Sequence, residues 1–133
     1  MTRRTVETRL LQLCVFLAAG VAVAAGLSGA IRGAGFFDLS GDTTASSHVH
    51  YLSGLLLAVG LGFWSSIPDI ARHTGRIRLL AAIVMVGGLS RLAAIASDGV
   101  PHGTALFALA NETVVPLLLC LWQARLARLE PLS

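Results

Sequence analysis

Charge is scarce in this sequence. Charged residues make up 13% of 133 residues, against about 25% in soluble globular domains. Lysine does not occur at all: the ten basic residues are all arginine. A basic stripe with interleaved aromatics is also missing, so the net charge of +3 gives no reason to expect a nucleic-acid partner. The two cysteines, Cys14 and Cys120, lie inside apolar runs without CxxC or other ligand spacing, which leaves packing as their expected role. No HExxH, no Ser/His/Asp arrangement and no recognisable cofactor motif occurs, so no cofactor is expected.

What fills the chain instead is apolar. Hydrophobic residues account for 55% of it, and the mean hydropathy is +0.76. A soluble helix of this chain length would alternate apolar and charged positions every three or four residues, whereas here the charges punctuate long uncharged runs. Lipid is the expected solvent. The richness in Arg, Ala, Gly and Leu reads as a bacterial chain from a GC-rich coding sequence.

Four runs, at about residues 10–31, 48–67, 77–97 and 104–124, each approach the roughly 20 helical residues needed to cross a hydrocarbon core of about 30 Å. The basic start and Ala22-Val23-Ala24 imitate a cleaved leader, but the apolar run continues to Ile31, so a retained helix is expected. Residues 32–47, rich in Gly, Ser and Thr and holding Asp38 and Asp42, read as a loop, with Phe36-Phe37 at the interface. Pro68 ends the second span, Thr74 before Gly75 starts the third helix, and residues 98–103 form a tight turn. The expected fold is therefore all-α: an integral membrane four-helix up-down bundle, with residues 1–133 as one membrane domain.

Two strips of small residues on the first span, Ala18/Ala22/Gly26/Ala30 and Ala25/Gly29/Gly33, let a second helix approach closely, as do Gly54, Ala58 and Gly62 on the second. Packing within the chain is the expected use. Orientation follows from the arginines: Arg3, Arg4, Arg9, Arg72, Arg76, Arg78, Arg125 and Arg128 flank one side of the spans, and only Arg32 the other. Both termini and the 68–78 connector are expected on the cytoplasmic side of the cell (inner) membrane, with Trp64 and Trp122 at the same interface.

Two charges stand where charge is expensive. Arg91 lies six residues before Ser97 and Glu112 eight after Thr104, which at 1.5 Å per residue sets them roughly 9 and 12 Å inside the outer boundary. Neighbouring helices at matched depth favour an ion pair, since either charge alone costs about 2.5 to 3.5 kcal/mol near a helix centre. Pro116 removes the hydrogen bond to the Glu112 carbonyl, so the five donors of Arg91 are offered both a carboxylate and a freed carbonyl. Gly87 and Gly88, one turn before Arg91, leave room beside it, and Asn111 points to another helix. Asn111-Glu112-Thr113 is a chance sequon, out of reach inside a span. His48, His50 and His102 sit near the same outer end, but histidines two apart on a helix point in nearly opposite directions, so no metal is expected.

His50-Tyr51-Leu52-Ser53-Gly54-Leu55, Gly87-Gly88-Leu89-Ser90-Arg91-Leu92, Asp98-Gly99-Val100-Pro101, and Glu112 with Pro116 before Trp122 together resemble the small bacterial four-helix membrane proteins of domain-of-unknown-function family 4345. The resemblance covers about residues 10–126. It implies four helices, no established activity and a constellation of His50, Arg91 and Glu112; the His50 position is commonly Arg in that pattern.

The functional expectation is a noncatalytic bundle that binds a lipophilic or anionic small molecule, a membrane-protein partner or a second copy of itself. Arg91, Glu112, Asn111, His50 and Tyr51 are the candidate binding residues. The alternative is an intramembrane isomerase or reductase in which Glu112 is the acid or base, Arg91 the oxyanion binder and His50 a second proton donor. Proton or ion transport is disfavoured because the polar residues stop in the outer half of the bilayer. The arginine asymmetry generates the first prediction: a periplasm-dependent phosphatase reporter fused after Ser133 is inactive and one inserted after Ser40 is active, and the reverse pattern rejects the assigned orientation.

Overall fold

A computed structural model describes residues 2–33, 35, 43–100 and 103–129, with the Thr104 side chain excepted. Among these residues the chain is all-α, in four helices: α1 (Arg3–Arg32), α2 (Thr43–Ser66), α3 (Thr74–Asp98) and α4 (Gly103–Arg128). Each is long and apolar enough to cross a membrane, which makes the chain a multi-pass membrane protein of the expected class. Large side chains such as Leu17, Ile31, Leu79, Val86 and Leu121 stand 59%, 72%, 63%, 62% and 61% exposed. A water-soluble surface rarely carries so much contiguous apolar area, whereas hydrocarbon accepts it.

The helices overrun the apolar spans. α1 begins inside the polar tail, where the Thr2 hydroxyl accepts from the Thr5 N–H at 3.4 Å and Arg3 pairs with Glu7 one turn on at 3.4 Å. α2 begins at Thr43, so residues 43–47 are helix rather than the expected loop. Phe36, Phe37, Asp38 and Asp42 lie outside the described residues. α3 starts at Thr74 as expected and ends at Gly99, whose φ of +99° suits glycine and whose N–H bonds the Ile95 carbonyl at 3.0 Å.

The chain divides into two compact units. The first holds residues 1–15 and 66–133: the start of α1, the connector before α3, and the α3/α4 pair. Leu11, Val15, Ile70, Ile77, Ala81 and Leu126 are its buried apolar side chains. α3 and α4 pack along one another.

The second unit, residues 16–65, is the rest of α1 with α2. Its helices meet on small residues. A Cβ on Gly26 would stand 2.5 Å from the Leu57 nitrogen and 2.8 Å from the Ser53 carbonyl oxygen, and one on Gly60 would stand 3.2 Å from the Ala19 carbonyl oxygen. Gly29 lies against Ser53. At the other end the Phe16 and Trp64 rings stack at 5.2 Å, and Trp64 Nε1 donates to the Phe16 carbonyl at 3.0 Å. The strip on α1 thus serves packing within the chain, but the α2 residues that meet it are Ser53, Leu57, Gly60 and Trp64, while Gly54 and Ala58 of the expected face do not. Gly54 faces open space. Residues four apart repeat on every face of a Gly- and Ala-rich helix, and the spacing alone does not say which face meets a neighbour.

This contrast generates a paired prediction. Gly26→Ala pushes a methyl into backbone that cannot yield and destabilises the protein by about 1–3 kcal/mol, whereas Gly54→Ala is neutral or slightly stabilising. Denaturant titration in detergent micelles reads both, and equal effects reject the packing described.

Candidate functional site

The node on α3 and α4 begins with a close approach. Gly88 is buried, and a Cβ there would stand 2.5 Å from Thr113 Cγ2 and 3.3 Å from Glu112 Cβ. The side chain of α4 fills the notch. This corrects the expectation that Gly87 and Gly88 both leave room beside Arg91: Gly88 is occupied, and only Gly87 faces open space. Three residues on, Arg91 lies on the same face of α3 and meets Glu112, the neighbour of Thr113.

The contact is bidentate. Arg91 Nε donates to Glu112 Oε2 at 2.9 Å and Nη2 to Oε1 at 3.1 Å. Two parallel charge-assisted bonds of this kind are roughly twice as strong as neutral ones and fix the plane of the guanidinium. Glu112 is largely enclosed, its side chain 19% exposed, while that of Arg91 remains 40% exposed. The pair leaves three of the five guanidinium N–H groups unused, and among the described residues they have no partner. Neither bond reaches the Glu112 backbone carbonyl, contrary to expectation. That carbonyl lies opposite Pro116, which is buried within an otherwise continuous α4.

Asn111 is half-buried and makes no hydrogen bond among the described residues, so the expected bond to another helix is not formed there. His50 belongs to the α1/α2 unit, where its Nδ1–H donates to the Ser46 carbonyl at 2.8 Å and its ring lies against Gly33. Tyr51 beside it is 65% exposed. His48 is exposed, and His102 lies outside the described residues. Among those residues no three metal-ligating side chains gather.

A second polar node was not anticipated. Gln123, 1% exposed on α4, donates through Nε2 to the Ile70 carbonyl at 3.0 Å and the Thr74 hydroxyl at 2.8 Å. Gln12 on α1 donates to the Ile67 carbonyl at 2.8 Å. The connector therefore has its carbonyls satisfied by two amide side chains, as backbone groups away from water require. Gln123 Oε1 and His73 Nδ1 are buried there without a partner. The signal was available: Gln12 and Gln123 are the only two glutamines, each at the end of an apolar run facing the same connector.

The family model described as "Domain of unknown function (DUF4345)" matches residues 10–123. No curated protein and no solved structure matches the chain.

The connector node yields a prediction independent of any ligand. Gln123→Leu leaves the Ile70 carbonyl and Thr74 hydroxyl without their donor and costs about 1–3 kcal/mol of stability. Thermal denaturation in detergent measures it, and an unchanged midpoint rejects a stabilising role for Gln123.

Proposed function

The chain belongs to the DUF4345 family, and we propose that it is a noncatalytic binding protein of the cell membrane, with both termini cytoplasmic, that holds the polar head of a lipophilic small molecule at Arg91. The observation that carries this is the unused edge of Arg91. Glu112 grips one side of the guanidinium, and three N–H donors remain on a side chain 40% exposed. Unpartnered donors inside a hydrocarbon layer are costly, which favours an acceptor supplied from outside the α3/α4 pair.

The charge balance narrows the chemistry. Arg91 and Glu112 together are neutral, so adding an anion would leave a net negative charge in a low-dielectric setting. A neutral acceptor, such as an ester or quinone carbonyl on an apolar body, is favoured over a carboxylate. An isomerase or reductase mechanism is less favoured because each Glu112 oxygen already accepts from Arg91, which commits two of the carboxylate's roughly four acceptor sites to orienting the guanidinium.

A staple reading is favoured by the same bidentate closure: the pair would only fix α3 against α4. One variant separates the two. Replacing a buried ion pair as a unit with apolar residues is commonly neutral or stabilising, so Arg91→Leu/Glu112→Leu accumulates and folds. Mass spectrometry of organic extracts from purified protein is expected to find a carbonyl-headed lipophile with the wild type and at least tenfold less with the double variant. Equal retention, or none in the wild type, rejects the binding reading.

A further inference from the structure

The last turns of α4 carry a different kind of surface. Leu121, Ala124, Arg125, Arg128 and Leu129 line an open groove of about 320 Å³. Their spacing sets them along one face of the helix. Leu121 and Leu129 are 61% and 54% exposed. Arg125 Nη2 lies 3.5 Å from Glu7 Oε1, yet the Arg125 side chain is 63% exposed and keeps donors to spare. Arg128 is exposed and makes no ion pair among the described residues.

From Leu121 to Arg128 the face advances roughly 10 Å along the axis, passing from the end of the apolar run to its basic flank. A guanidinium pair at the interface, above a leucine facing hydrocarbon, matches one molecule: a phospholipid, with its phosphate above and an acyl chain below. Charge selects further. Arg125 and Arg128 line the groove, and the one carboxylate paired with either among the described residues, Glu7, is shared with Arg3, so the groove is net positive and complements an anionic headgroup better than a zwitterionic one.

We propose that this groove docks an anionic phospholipid, with its phosphate accepting hydrogen bonds from Arg128 and Arg125 and an acyl chain lying along Leu121. Glu7 is then a competitor for Arg125 and sets the affinity. The inference does not depend on the Arg91 reading.

The test is native mass spectrometry of the full chain in micelles doped with equal dioleoyl phosphatidylglycerol and dioleoyl phosphatidylcholine. The wild type is expected to retain phosphatidylglycerol preferentially. Arg128→Gln lowers that retention about fivefold, the worth of one arginine near an anionic surface. Ala124→Phe, which fills the groove without altering charge, lowers it too, and Glu7→Gln raises it by freeing Arg125. Arg72→Gln, an exposed arginine on the connector outside the groove, leaves it unchanged, and excess inorganic phosphate does not displace the lipid. Equal retention of the two lipids, a loss with Arg72→Gln as large as with Arg128→Gln, a fall with Glu7→Gln, or displacement by phosphate would each overturn the proposal.

Discussion

Inside a hydrocarbon layer no water is on hand to satisfy a stranded donor or acceptor, so every polar group must find its partner within the chain or from a ligand. The organisation of this protein follows from that requirement. Arg91 and Glu112 meet because neither charge is tolerated alone at that depth, and their two bonds at 2.9 and 3.1 Å give α3 and α4 one shared register. Gly88 makes the meeting possible: with no side chain there, Thr113 and the stem of Glu112 come against the α3 backbone. The ion pair and the notch act together, one supplying attraction and the other proximity.

The same requirement operates at the connector, by different means. A turn between helices exposes carbonyls that no helix satisfies. Here Gln12 and Gln123 reach in from α1 and α4 to the carbonyls of Ile67 and Ile70. An amide is suited to this because it donates without bringing a net charge with it. The α1/α2 unit solves its packing with still less polarity. Backbone approaches backbone at Gly26 and Gly60, and the indole of Trp64 uses its one donor on the Phe16 carbonyl.

Much of this was legible because lipid imposes simple rules on composition. Span length, helix number, the start of α3 at Thr74 and the Arg91–Glu112 pairing all follow from hydropathy, Pro and Gly punctuation, and depth counting. What escaped has physical reasons as well. The face of α2 that meets α1 is not legible in the sequence, because Gly54, Ala58 and Gly62 repeat every four residues just as Ser53, Leu57 and Gly60 recur every three or four, and periodicity carries no label for inside. Residues 43–47 read as loop because Ser and Thr are as common in loops as at helix starts. Gln123 stands out little in the sequence because an uncharged amide costs far less in an apolar run than a charge does. The freed Glu112 carbonyl is expected to bind Arg91, but the two bonds to the carboxylate fix the plane of the guanidinium and no third bond to that carbonyl forms.

The spacing of Gly88 and Arg91 on one helix, against adjacent Glu112 and Thr113 on the other, has an evolutionary reading. A single inserted or deleted residue between Gly88 and Arg91 would swing the guanidinium about 100° around the helix, away from its carboxylate. The turn around Gly99 has no such constraint, since loops absorb length changes at small cost. Length variation among relatives that keep this pair should therefore be confined to the helix junctions. The notch and the ion pair would be inherited together as a rigid block whose internal count does not change.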